Sequence, residues 1–312
     1  MIHIEKLYKH YGKFVALNYL DLDIKDGEFF GFVGPNGAGK TTTMRIISGL
    51  LRSDGGSVFV DGIDAIHNNK KIKEIIGYMP DFFGVYDNLK AIEYMEFYAS
   101  IYGITGKSAR KMCMELMDLV NLADKAQSYV DGLSRGMKQR LCLARCLVHN
   151  PKLLILDEPA SGLDPRARFE MKGILKNLNE MGKTIIISSH ILPELAEMCD
   201  TIGIIEHGKM LQKGTVEEIM SEINTTNPLV IKFLDGQEKA VRILKENPLV
   251  DNLSIQEGLL SVKFNGEAKD ESELLTNLIQ NEVKISSFSR EEGNLESVFM
   301  KITEQEEMEV GE

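Results

Sequence analysis

The stretch Gly34-Pro35-Asn36-Gly37-Ala38-Gly39-Lys40-Thr41 constrains the fold of this chain more than any other feature. A strand-like apolar run, FFGFV, leads into it, and an apolar-periodic helix continues through Thr42. That is the strand–loop–helix context in which a glycine-rich loop binds phosphate. Glycines admit unusual backbone angles, so the amides can close around phosphate oxygens, and the helix N-terminus adds its dipole. Lys40 is expected to bridge the β- and γ-phosphates of a nucleotide, and the Thr41 hydroxyl to ligate Mg²⁺. Every residue from Gly34 to Thr42 is therefore a candidate nucleotide-binding position.

A second signal, LLILDEPASGLDP, narrows what the loop serves. Leu153 to Leu156 form an all-apolar run suited to a buried parallel strand. Asp157 and Glu158 stand at its end, where α/β sheets place their ligands. Asp157 is assigned to Mg²⁺ through water, and Glu158 to the attacking water as a base. KTIIISSH repeats the geometry and ends in His190, a candidate sensor of the γ-phosphate. Guanine-specific proteins read their base with an Asn-Lys-x-Asp tetrad. The nearest string here, Asn69-Lys70-Lys71-Ile72, lacks the carboxylate. Small-molecule kinases share the loop but have no use for the long segment between it and Asp157.

The net charge of −11 argues against nucleic acid as a partner, which needs a basic face. No apolar run approaches the roughly 20 residues that span a bilayer. The N-terminus, MIHIEKLYKHYGK, lacks the layout of a secretory signal. Four scattered cysteines fit a reducing cytosol. Cys142, Cys146 and His149 fall along one helical face and could in principle hold zinc. No matched second pair follows, and RLCLARCLVHN is otherwise an apolar stripe, so small buried thiols are expected.

LSRGMKQR, from Leu133 to Arg140, presents a puzzle. It places Arg135 and Lys138 in or near the first turn of a helix, where aligned peptide dipoles disfavour cations. Taken with the loop and the carboxylates, the first roughly 215 positions resemble the ATP-binding subunit of an ABC transporter. That family carries a Leu-Ser-Gly-Gly-Gln signature, and this chain reads Leu133-Ser134-Arg135-Gly136-Met137. By resemblance, Ser134 and the Gly136 amide contact the γ-phosphate of ATP held by an opposing subunit. A triphosphate there would offset the cost of the two cations, each about 0.3–1 kcal/mol. Arg135 for Gly and Met137 for Gln leave the Ser hydroxyl and the second Gly intact.

The resemblance implies further roles. Tyr11 matches the aromatic residue that stacks on adenine. Asp164, in SGLD, matches the loop linking the two nucleotide sites across the dimer. The family has Gln after Gly-Tyr-x-Pro, whereas Gly77-Tyr78-Met79-Pro80 is followed by Asp81. An acidic residue there can order Mg²⁺-bound water but donates no amide hydrogen bond. In FFGVYDNLKAIEYMEFYASIYG core packing accounts for most of the rings. The family places its docking groove for the membrane subunit here, so one or two rings are expected at the surface. The implied cofactors are ATP and Mg²⁺. The implied partners are a second ATPase subunit, identical or paralogous, and an integral-membrane permease in a separate chain. That places the chain on the cytoplasmic face of the membrane.

Beyond the cassette the pattern reads strand (PLVIKFLDG), helix (QEKAVRILKEN), hairpin around Glu257-Gly258, helix (DESELLTNLIQNE) and strand (VKISSFS). Asp270 and Glu273 stand at capping spacing. The order βαββαβ suggests a small ferredoxin-like unit. The expected organisation is an α/β cassette over residues 1–222, with a parallel-sheet core, an antiparallel β subdomain and a helical subdomain. A small α+β domain over 223–303 and an acidic tail over 304–312 follow. A final LE-x-VF helix resembles the C-terminal extension of drug-, sodium- and antibiotic-type exporter ATPases, so export is the expected direction.

The main rival is a non-transport ABC ATPase acting on ribosomes or DNA. Ribosome-type members carry two cassettes and DNA-type members a long coiled coil, and this chain shows neither pattern. A catalytically dead cassette is opposed by Lys40, Asp157, Glu158 and His190 all being present.

Overall fold

A six-stranded sheet runs in the order β10-β9-β3-β8-β7-β6. Its centre is β3 (Phe29–Val33), β8 (Thr184–Ser189) and β7 (Leu153–Asp157), every residue of which is buried. Strands covered on both faces need continuous apolar sequence, which FFGFV, LLILD and TIIISS supply. β6 (Ile76–Met79) pairs parallel with β7, and β9 (Thr201–Glu206) parallel with β3. β10 (Lys209–Thr215) closes one edge antiparallel to β9. The computed structural model describes residues 1–82, 84, 88–219, 228–256, 259–266 and 268–290.

A second, antiparallel sheet has the order β2-β1-β4-β5, from β1 (Ile2–Tyr11), β2 (Phe14–Ile24), β4 (Gly55–Val60) and β5 (Ile63–Asp64). Ile4, Leu7, Leu20 and Val58 on these strands share one core with Phe30 and Phe32 of β3 and with Met44 and Ile46 of α1 (Lys40–Ile47). The helix that starts at Lys40 is thereby held by buried side chains along its length.

Helices α3 (Ala91–Ile101), α4 (Gly106–Leu119) and α5 (Arg135–Leu147) form the helical part, with α2 (Asn69–Ile75) leading into β6, while α6 (Pro165–Glu180) and α7 (Leu192–Ala196) come after β7 and β8. The aromatic-rich stretch departs from expectation. Among its described rings only Tyr94 is fully buried, while Phe82 (92% exposed), Phe97 and Tyr102 are exposed. α3 buries Ala91, Ile92, Tyr94, Met95 and Ala99, Phe97 falls outside that stripe, and Ile101 is exposed at the end of the helix.

Contacts divide the chain into two units, Met1–Thr215 and Val216–Glu312. The second has a four-stranded sheet of order β12-β13-β11-β14, made of β11 (Leu229–Asp235), β12 (Val250–Gln256), β13 (Leu259–Phe264) and β14 (Lys284–Arg290). With α8 (Gln237–Glu246) and α9 (Ala268–Gln280) the element order is βαββαβ, as expected. Leu229, Ile231, Leu260, Val262 and Phe264 pack with Leu244, Leu274 and Leu278 of the helices. Helix α9 opens at Ala268, so Asp270 lies inside its first turn and not at the cap. An acidic first turn still complements the helix dipole. The expected boundary at 222–223, the Glu257-Gly258 turn, the final helix at 295–299 and the tail at 304–312 lie outside the described residues. No described helix is long and apolar enough to cross a membrane.

Candidate active site

Four segments converge because four parallel strands end on the same edge of the sheet. The glycine loop follows β3, Asp157 and Glu158 end β7, His190 follows β8, and Asp81 follows β6 after Met79-Pro80. Tyr11, Phe14, Ala16, the loop from Asn36 to Thr42, Asp81, Asp157 and Glu158 line one open cleft of about 610 Å³.

The loop reaches α1 through Gly39, whose φ of 112° is a left-handed value that L side chains rarely adopt. A Cβ there would also lie 2.7 Å from the Ala16 carbonyl oxygen. No side chain caps α1, so its opening amides face the cleft without an internal partner. Lys40 Nζ donates to the carbonyls of Gly34 at 2.5 Å and Pro35 at 3.0 Å, which aims the ammonium along the loop. Burial lowers the Lys40 pKa from the ordinary lysine value, and Glu158 and Asp157 oppose that shift.

Asp157 is 2% exposed and takes a 2.6 Å hydrogen bond from Ser188 Oγ. The same hydroxyl accepts the Glu158 amide at 3.0 Å, so both of its hydrogen-bonding capacities are used within the site. Glu158 has a φ of 48°, sparsely populated for a residue with a side chain. Its Oε2 lies 3.0 Å from His190 Nδ1, with the imidazole side chain half exposed. Burial raises the Asp81 pKa, Glu158 and Asp157 push it the same way, and Arg135 and His190 act against them. The cleft thus gathers three carboxylates and a hydroxyl, hard oxygen donors of the kind Mg²⁺ takes. Among the described residues no group of three or more His, Cys, Asp and Glu side chains is arranged to hold a metal by itself.

Ser134 and Gly136 are not part of this cleft. Ser134 caps α5, its Oγ accepting the Met137 amide at 3.3 Å. Asp164 caps α6 (Pro165–Glu180), accepting the Ala167 amide at 2.9 Å. Ser134 and Asp164 therefore each have a local structural task within the chain.

Phe14 and Ser188 belong to the site yet carry no motif. Phe14 is the cross-strand partner of Tyr11 at the β1–β2 tip, and both rings are exposed to the cleft. The short hairpin Tyr11-Gly12-Lys13-Phe14 carries the signal for Phe14, because a two-residue turn sets Tyr11 and Phe14 directly opposite each other.

A second cleft, of about 670 Å³, lies among Leu50, Tyr78, Tyr98, Tyr102, Arg145 and His149. Tyr102 and His149 stack at 4.2 Å between centroids, and the Arg145 guanidinium sits 5.0 Å from the Tyr98 ring centre. Cys142 and Cys146 are buried, free thiols.

A family model described as ABC transporter matches residues 17–161. The linearmycin resistance ATP-binding protein LnrL of Bacillus subtilis is 33% identical over 307 residues, spanning 97% of this chain and 98% of its own length. The bacitracin transport ATP-binding protein BcrA of Bacillus licheniformis is 35% identical over 305 residues, spanning 97% of each. Among solved structures, the ATP-binding cassette MJ0796, a dimer in a post-hydrolysis state bound to ADP and Pi, superposes with a TM-score of 0.64. It is 27% identical and covers 69% of this chain and 99% of its own.

Proposed function

This chain belongs to the family of ABC transporter ATP-binding proteins, and from that premise we propose that it is the subunit that powers a separate membrane permease for export. Its reaction is ATP hydrolysis. The observation that carries the fuller reading is one cleft holding Lys40, Asp157 and Glu158, the last in contact with His190 at 3.0 Å, with Ser134 and Gly136 outside it. A site with its phosphate loop and base in place, but its signature elsewhere, is half of a composite site. A second subunit, identical or paralogous, completes it.

In this reading Tyr11 stacks on adenine, and the amides from Gly37 to Thr42 with Lys40 bind the phosphates. Glu158 takes a proton from the attacking water, and His190 holds that carboxylate through its 3.0 Å contact. The Ser188 hydroxyl holds the Asp157 side chain in its orientation toward the phosphates. Thr41, Asp157 and Asp81 would hold Mg²⁺, which when bound neutralises charge on the transferring phosphoryl group.

The aromatic cleft around Tyr98, Tyr102 and Arg145 is read as the permease docking groove, since aromatic and Arg side chains are enriched at interface cores. The relatives named for linearmycin resistance and bacitracin transport align along nearly all of this chain, which supports an antibiotic-type export role.

Glu158→Gln tests the reading. The amide keeps the shape and loses the basicity, so turnover should fall by about 10²–10⁴-fold while ATP stays bound. The trapped protein should run as an ATP-dependent dimer on a sizing column. Unchanged turnover would remove Glu158 from the role of base, and a monomer with ATP bound would sink the composite site.

A further inference from the structure

Arg135 stands where the family signature has glycine, and the fold gives it a partner inside its own subunit. A Cβ built on Gly162 would lie 2.4 Å from Arg135 Nη1, 2.5 Å from Cζ and 2.7 Å from Nη2. Three nearly equal distances mean that the guanidinium plane lies face-on against Gly162. Gly162 has a φ of 66° and belongs to the loop 160–164 that leaves Glu158. Two neighbouring contacts reinforce the join. Gln139 Nε2 donates to the Ser161 carbonyl at 3.3 Å, and a Cβ on Gly136 would meet Ala167 Cβ at 2.8 Å. The start of α5 and the loop 160–164 are thus packed as one piece, with Arg135 as its charged face.

The consequence follows from where each end of that piece leads. Ser134 caps α5 one residue before Arg135, and Glu158 stands four residues before Gly162.

We propose that Arg135 is a positioning residue that clasps Gly162 of its own subunit and so transmits phosphate capture at Ser134 to the loop bearing Glu158. The inference rests on the composite-site reading above, in which Ser134 serves one nucleotide and Glu158 the other. It assigns Arg135 a task within its own chain, in addition to any effect on the partner's triphosphate.

The test is a double-mutant cycle of Arg135→Ala and Gly162→Ala, read as steady-state ATP hydrolysis. Arg135→Ala should lower kcat by roughly fivefold with KM nearly unchanged, since the residue touches no nucleotide of its own cleft. Arg135→Lys should recover only part of that loss, because an ammonium is a point charge without a plane to lay on Gly162. Ala at 162 carries left-handed strain in any background, but its Cβ strikes Arg135 only when Arg135 is present. Adding it to Arg135→Ala should therefore cost several-fold less than adding it to the wild type. Equal costs in both backgrounds would overturn the clasp.

Amide hydrogen exchange of residues 160–164 in the nucleotide-free protein supplies a second measurement that needs no turnover. Exchange should speed up in Arg135→Ala and return toward wild type in Arg135→Lys; no change in Arg135→Ala would also overturn the proposal. A wild type that hydrolyses no ATP would instead overturn the function proposed above. The exchange measurement keeps the two failures apart.

Discussion

Ser188 donates its hydroxyl to Asp157 at 2.6 Å while accepting the Glu158 amide at 3.0 Å. One hydroxyl on β8 thus fixes a side chain and a backbone turn at the end of β7. Buried carboxylates need such a donor, because an unsatisfied one bears its full desolvation cost.

Ser188→Ala should therefore destabilise the protein by about 1–3 kcal/mol in denaturant titrations. It should also raise the Mg²⁺ concentration needed for half-maximal ATP hydrolysis, since Asp157 loses its orientation. Unchanged stability together with an unchanged Mg²⁺ requirement would show that this hydrogen bond is dispensable.

Ser134→Arg, placed in the Glu158→Gln background, should leave monomers on a sizing column with ATP bound at near-normal affinity. In the composite-site reading proposed above, the long side chain would fill the place of the opposing phosphate. Loss of the cap on α5 should cost about 1 kcal/mol, which a thermal melt will register separately. An ATP-locked dimer that forms equally well would reduce Ser134 to a helix cap.

Asp81→Ala should lower hydrolysis by about tenfold, equivalent to about 1.4 kcal/mol of barrier, and leave ATP affinity nearly intact. Normal hydrolysis by the isolated subunit would leave Asp81 only a contact role toward the permease. A collapse of ATP affinity would contradict both roles.

His149 lends itself to a pH experiment. Burial lowers its pKa from the ordinary value of 6.5, Lys183 acts the same way, and the Ile76 carbonyl at 3.0 Å opposes them. Its folded-state pKa therefore lies below the unfolded one, and the unfolded chain takes up the proton first. The stability contributed by the neutral ring is fully present above about pH 6.5 and is lost as pH falls toward the folded pKa. His149→Gln should flatten the fall in unfolding free energy as pH drops below about 6.5. An unchanged slope in that interval would show that His149 does not govern it.

Much of the site was legible before any coordinates. The loop from Gly34 to Thr42, the pair Asp157 and Glu158, and His190 each sit at the end of a run whose all-apolar composition requires a buried strand. Ligand geometry follows, because parallel strands present their C-terminal ends together. The βαββαβ order of the second unit was legible for a similar reason: periodicity changes from two to 3.6 and back, with turn residues between.

The rings from Phe82 to Tyr102 were not legible in the same way. Tyr94 and Phe97 stand three positions apart and are neighbours around α3, so which of them is buried depends on the face that meets α4 and α5, and the sequence of α3 does not state that.

What the sequence determined by itself was local: the glycine-dependent backbone of the phosphate loop and the apolar strands. Those depend on residues a few positions apart, whose geometry a strand or helix sets directly. The tertiary structure decided the rest. Ser188 meets Asp157 across 31 positions because β8 lies beside β7 in the sheet. Arg135 meets Gly162 because α5 packs its first turn against the loop leaving β7. Such contacts depend on strand order and helix placement. Both are set by burial summed over the whole core, which no short stretch of sequence encodes.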